Sequence, residues 1–161
     1  MTNTSPSRKQ AIAERWFALT VQTYPAQSRQ FLQREKDPFR NPVGQALHTH
    51  LPALLGELLG DMNPENVARS LGELMRMRAV QHFSAREALS FLFLLKRVLR
   101  EELPADEESR VGLDNRIDDM ALTAFDIFMR CREQIYQLQA NEAKRSVAVL
   151  QRIRSSTERR E

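Results

Sequence analysis

Cysteine is nearly absent from this chain: Cys131 stands alone among 161 residues. A single thiol excludes an internal disulfide framework and any zinc site built from cysteines. Histidine is scarce too, limited to His48, His50 and His82. Neither a His-x-x-x-His nor a Glu-x-x-His spacing occurs, so no helix face offers a two-ligand metal clamp. Gly-x-Ser-x-Gly and Gly-rich phosphate loops are missing as well. No apolar run approaches the ~18 residues of a membrane span. The opening MTNTSPSRKQ lacks the apolar stretch of a secretory signal. The expectation is a cytoplasmic, non-enzymatic protein with no catalytic, cofactor-binding or metal site.

Glycine is rare, at five residues, and alternating β-branched runs are absent, so strands are not expected. What remains is a chain 42% hydrophobic and 28% charged, enough to bury one core. The 24 basic residues nearly balance the 21 acidic ones, which argues against nucleic acid as a partner. The distribution is uneven at one end. Lys144, Arg145, Arg152, Arg154, Arg159 and Arg160 face only Glu158 and Glu161. We therefore divide the chain into a helical domain over 1–140 and a basic helical extension or tail over 141–161.

Proline marks the helix starts. Ser5-Pro6, Tyr24-Pro25, Asn41-Pro42 and Asn63-Pro64 each precede a helical pattern. Proline at the first helical position sacrifices no hydrogen bond, and Ser or Asn before it caps the first turn. Helices are predicted from Pro6 to Val21, after Pro25, from Pro42 to about Leu59 and from Pro64 to about Val80. Pro52 predicts a kink or break near Thr49. Gly60 suits a helix end. Ser84 and Glu87 fit a capping box opening a fifth helix that Pro104 ends. That helix, around Leu89 to Leu95, reads as apolar nearly all round. The acidic stretch after Ala105 reads as a loop at first, and a long helix then runs from about Leu113 to Arg154. Ile117, Met120, Ala121, Ala124, Phe128, Cys131, Ile135 and Leu138 keep a three-four spacing along it. The pattern slips at Asn141 and resumes weakly at Val147, Leu150 and Ile153. That later part is too polar for one domain to bury, so it either pairs with another chain or projects into solvent. The fold class is all-α, with five to seven helices in a globin-like or related bundle and a long C-terminal helix.

Polar residues that solubility does not require cluster in two blocks. Asp37, Asn41, Arg76, Arg78 and Gln81 are the candidate partner-binding residues. Two guanidinium groups near the end of one helix can hold a carboxylate, a phosphate or an acidic side chain of a partner. The competing reading has Asp37 and Asn41 as helix caps and the arginines as their partners, or Arg76 paired with Glu73.

Glu35-Lys36-Asp37-Pro38-Phe39-Arg40-Asn41-Pro42-Val43-Gly44 and Met75-Arg76-Met77-Arg78-Ala79-Val80-Gln81-His82-Phe83-Ser84 stand with Trp16, Tyr24-Pro25 and Phe91 to Leu103. With these residues the chain resembles the amino-terminal domain of RsbRD-type RsbT co-antagonist proteins, over about Trp16 to Leu138. The resemblance implies a sensory or regulatory role in stress signalling, a globin-like fold without haem and a homodimer. In that family the domain precedes a STAS domain. No STAS region follows here, so a standalone input domain with an unidentified protein partner is expected. Two homodimer helices from Ile117 to Ile153 should run side by side. The alternatives are a globin-type sensor holding haem or another ligand, and a helical nucleic-acid-binding protein using Lys144, Arg145, Arg152 and Arg154.

Overall fold

Helix starts follow the local chemistry of their capping residues. In the computed structural model, which describes residues 4–103 and 106–158, α1 spans Pro6–Val21, α2 Ala26–Arg34, α3 Pro42–Leu59, α4 Pro64–Val80, α5 Ala85–Glu102 and α6 Glu107–Glu158. Every described element is helical. Ser5 Oγ accepts from the Arg8 amide, Asn41 Oδ1 from that of Gly44, and Asn63 Oδ1 from those of Glu65 and Asn66. Proline occupies the first turn of α1, α3 and α4. Ser84 and Glu87 close the capping box at α5. Pro25 differs, because it is itself the N-cap of α2 and no side chain caps that helix. Tyr24 before it is buried in the core, where its ring meets the edge of Phe83 and the Arg78 guanidinium.

Two expectations are corrected. Pro52 neither breaks nor ends α3, which runs unbroken from Pro42 to Leu59. Pro52 and His48 both lie on the solvent side, so water can satisfy the His48 carbonyl that proline leaves unpaired. Leu51, Leu54 and Leu55 around it are buried and hold the helix in register. The acidic stretch after residue 106 is helix rather than loop. Asp106 Oδ1 accepts from the Ser109 amide at 2.7 Å, and Glu107 and Glu108 lie in the first turn, where negative charge suits the helix dipole. The expected stop at Pro104, the start of the acidic stretch at Ala105, the opening residues 1–3 and the basic Arg159 and Arg160 lie outside the described residues.

The helices close into a ring. α1 packs on α3 and α5, α3 on α4, and the first half of α6 on both α4 and α5. α2 is a short bridge against α1 and α3. The core inside this ring includes Ile12, Trp16, Leu47, Leu51, Leu71, Leu74, Phe91, Leu95, Ile117 and Met120, all fully buried. Trp16 joins α1 to α5 twice. Its indole N–H donates to the Phe91 carbonyl at 2.7 Å, and the two rings stack at 5.9 Å. α5 is less encircled than its sequence suggests, since Phe93 is 50% exposed.

Two arginines fix α6 against the ring. Arg116 donates to the carbonyls of Leu58 and Gly60 at 2.8 and 2.7 Å, and Arg132 donates to the Ala79 carbonyl at 3.0 Å. Both cap the C-terminal ends of neighbouring helices, where a cation meets unpaired carbonyls and the negative end of the dipole. The helix crosses residue 140 without interruption. From Tyr136 to Thr157 every residue is exposed, so α6 projects beyond the body by ~33 Å at 1.5 Å per residue.

Candidate functional site

Arg78 sits on the inward face of α4 and is fully buried. A charge in that position requires partners, because desolvating an ion is costly. Among the described residues no carboxylate supplies one. The guanidinium lies 4.9–5.1 Å from the ring centres of Tyr24, Phe83 and Phe91. Nη1 donates to the carbonyls of Glu87 and Ala88 at 3.0 and 3.1 Å, and Nη2 donates to Thr23 Oγ1 at 3.2 Å. Ring faces and carbonyl dipoles thus replace a counter-ion. Arginine suits this role because its guanidinium is delocalised and more weakly hydrated than an ammonium. Burial pulls its pKa below the ordinary guanidinium value, and the nearby Tyr24 phenol opposes that. Burial likewise pushes the Tyr24 phenol up, with Arg78 opposing. The buried Tyr24 hydroxyl and the Arg78 guanidinium also interact with each other as a weak side-chain hydrogen bond.

The chain turns sharply just after Arg78. Gln81 caps α4, His82 takes a left-handed φ of 63°, and the Phe83 amide reaches back to the Arg78 carbonyl at 3.4 Å. This is a Schellman ending, in which the left-handed position normally holds glycine. A hollow of about 370 Å³ opens beside it. Thr23, Tyr24, Phe83 and Glu87 wall that hollow and are also the residues around the guanidinium. Pro25, Gln81 and His82 complete its rim.

The other sequence candidates lie apart. Asp37 Oδ1 accepts from the Phe39 amide, shaping the turn before α3. Asn41 is buried; its amide donates to the carbonyls of Phe31, Leu32 and Glu35 at the end of α2. Arg76 points outward and pairs with Glu73. Gln81 shares the hollow with the surroundings of Arg78. Among the described residues no hydrogen bond or ion pair joins Asp37 or Asn41 to either arginine. Sequence reasoning missed Thr23, Phe83 and Phe91 as the surroundings of Arg78, since their proximity is tertiary. Tyr24 and Phe83, each placed at a helix boundary, were the available signal.

A second hollow, of about 410 Å³, runs between α1 and α3 along Ala13, Phe17, Leu47, His48 and Leu55. The His48 ring stacks on Phe17 at 3.9 Å. Among the described residues no group of three His, Cys, Asp or Glu is placed to hold a metal. No described helix is long and apolar enough to cross a membrane.

The third feature is a seam on α6. Ile117, Met120, Ala121, Ala124 and Phe128 are buried against the ring as the three-four spacing predicts and Cys131 and Ile135 are half-buried, but Leu138, expected on the same stripe, is 69% exposed because α6 has already left the ring. A second stripe faces solvent: Leu122, Phe125, Met129, Tyr136, Leu150 and Ile153, each between 46% and 69% exposed. These positions keep the alternating three-four step of a coiled-coil seam, with Arg132, Gln139, Ala143 and Ser146 between them.

The family profile of the RsbT co-antagonist protein rsbRD N-terminal domain matches residues 10–143. The chain belongs to the RsbRD N-terminal domain family. The matched RsbRD region takes in the helical ring except the first turn of α1, Arg78 with its aromatic surroundings, and the α6 seam as far as Ala143. An uncharacterized protein of Archaeoglobus fulgidus is 24% identical over 89 residues, covering 55% of this chain and 59% of that protein. The chain thus spans little more than half the length of that relative. No solved structure matches.

Proposed function

We propose that this RsbRD N-terminal domain is a non-enzymatic regulatory module of the cytoplasm that works as a homodimer and transmits its state through α6 to a protein partner. The observation that carries this reading is the solvent-facing seam of Leu122, Phe125 and Met129 on a helix that outruns its own domain. The segment 136–157 packs on nothing in the described domain, and most helical stability comes from a packed face. Phe93 on α5 borders the same seam beside Phe125, across a hollow of about 450 Å³. A second copy of the chain covers such a stripe when two α6 helices lie side by side. The family resemblance to co-antagonists of RsbT supports a signalling role in the stress response and a protein partner.

Sedimentation equilibrium tests the reading. The wild-type chain should run as a dimer at micromolar concentration, and Phe125→Glu with Met129→Glu should give a folded monomer. A wild-type chain that stays monomeric up to roughly 100 µM would overturn it.

One observation supports a second reading as a ligand-binding sensor: His48 borders the apolar hollow between α1 and α3. Titration with haemin decides it. A Soret shift that His48→Ala abolishes would favour that sensor, and an unchanged spectrum would dismiss haem.

A further inference from the structure

The uncovered side of α6 is arranged about its own middle, and its charge is divided between its ends. We propose that the two α6 helices of the dimer run antiparallel and cross at Met129. The basic tail of each copy then lies along the acidic start of the other's α6, beside α5. The inference rests on the dimer reading and deepens it, since it names the surface that receives each projecting tail.

The apolar stripe is balanced about Met129. Val111 and Val147 are both 53% exposed. Val111 stands three helical turns before Leu122, and Val147 three turns after Tyr136, so both fall on the seam side of the helix. By residue count Met129 lies midway between Val111 and Val147, and also midway between Leu122 and Tyr136. An antiparallel pair crossing there sets Met129 against its own copy, Leu122 against the partner's Tyr136 and Val111 against the partner's Val147. Every one of these exposed apolar side chains then meets another. Ser146 meets the partner's Gly112, where an added Cβ would find open space, so the two backbones can approach closely. A parallel pair instead sets Gln139 against Gln139 and Ser146 against Ser146, and leaves Val111 on the body with nothing from the tails to cover it.

Charge decides the direction. Residues 106–119 carry six acidic and two basic side chains, whereas 144–157 carry four basic and no acidic ones. In a parallel pair like charge meets like at both ends; in an antiparallel pair each end meets its opposite. Lys144 then falls level with the partner's Asp114, and Arg152 with the partner's Asp106. The surface of α5 and α6 satisfies part of the acidic charge itself. Lys96 pairs with Asp118 and Arg100 with Asp114, and Asp106 caps the helix. Among the described residues Glu107, Glu108 and Asp119 make no ion pair, and neither do Lys144, Arg145 and Arg152. The helix dipole accounts for Glu107 and Glu108 in the first turn. Its influence fades within a turn of each end, so it explains neither Asp119 nor Lys144 and Arg145.

Spin-label distances read the direction. Cys131→Ser removes the only native thiol, and Val147→Cys supplies one exposed labelling position per copy. An antiparallel pair crossing at Met129 holds the two labels about 54 Å apart at 1.5 Å per residue. A parallel pair holds them at about 10–20 Å, little more than the spacing of packed helices. Charge reversal is the second measurement. Lys144→Glu with Arg152→Glu should weaken dimerisation roughly tenfold or more, because acid then faces acid. Adding Glu107→Lys with Glu108→Lys to the same chain should recover much of the loss. A wild-type chain that stays monomeric would overturn the dimer reading and this inference together. A dimer whose labels lie less than about 30 Å apart would overturn the antiparallel arrangement alone and leave the dimer standing. A reversal that leaves dimerisation unchanged would likewise overturn the antiparallel arrangement.

Discussion

The side chain of Asn41 occupies the space in which Gly44 would need a Cβ. The two are tied by a hydrogen bond of 2.9 Å from the Gly44 amide to Asn41 Oδ1, while the Asn41 amide group holds the end of α2 through the carbonyls of Leu32 and Glu35. Asn41 is 2% exposed and gripped from both sides, so it cannot yield. Gly44→Ala should therefore destabilise the fold by about 2 kcal/mol, and Asn41→Ala by about 2–3 kcal/mol through the lost cap and unpaired carbonyls. Denaturant unfolding of both single variants and the double variant checks this. The double variant should be less destabilised than the sum, since truncating Asn41 frees the space that the added methyl group needs.

Gly56 gives the opposite expectation. A Cβ added there meets nothing within 4 Å, and a helix-interior glycine costs about 0.5–1 kcal/mol relative to alanine. Gly56→Ala should raise the unfolding temperature by a few degrees, roughly 2–4 °C for a domain of this size. Differential scanning calorimetry reads the shift directly.

Replacements of Arg78 should rank by shape and hydration rather than by charge. Arg78→Ala leaves a large void among Tyr24, Phe83 and Phe91 and should cost about 3–5 kcal/mol. Arg78→Lys keeps the charge, but an ammonium is more strongly hydrated and cannot span both the Glu87 and Ala88 carbonyls and Thr23. It should be less stable than Arg78→Met, which fills much of the same volume without a buried charge. Urea midpoints for the three variants test that order; a lysine variant more stable than the methionine variant would contradict it.

The capping box predicts a dependence on acid. The Ser84 amide and hydroxyl hold the Glu87 carboxyl below its usual pKa. A carboxyl lowered on folding contributes stability that is present above its unfolded pKa and is lost as pH falls through the lowered folded value. The unfolding temperature of the wild-type chain should exceed that of Glu87→Gln at neutral pH, and the gap should close as pH drops below the ordinary carboxylate range. A gap constant across that interval would show that the ionised carboxylate is not what caps α5.

Hydrogen exchange along α6 should divide near Ile135. Residues 113–131 include the buried Leu113, Ile117, Met120 and Phe128 and should exchange slowly in any state. Residues 136–157 should be slow in a dimer and fast in the Phe125→Glu, Met129→Glu monomer, because in the proposed dimer the second α6 covers them. Equal exchange in both forms would mean that the projecting part of α6 is not paired.

Much of the helical pattern was legible because it is written in local terms. A cap such as Asn63 or Ser84 reaches only two or three residues along the chain, and an inward stripe such as Val67, Leu71, Leu74 and Met75 repeats with the helix itself. The early start of α6 escaped that reading because acidic residues resemble a solvated loop in sequence; the Asp106 cap and the dipole at the helix start favour them there instead. Pro52 escaped it because its tolerance depends on which side of α3 meets water.

By itself the sequence determined a helical fold, the capped starts of α1, α3, α4 and α5 and the stripe of α6 that faces the core, since each rests on contacts within a few residues. Only the tertiary structure decided that Arg78 is buried while Arg76, two positions away, reaches solvent. It alone placed the aromatic rings from three separate parts of the chain around that charge, and left the second stripe of α6 uncovered. Those outcomes depend on how distant helices pack: a side chain's solvation and partners are set by elements brought next to it in space, which residue spacing along the chain does not specify.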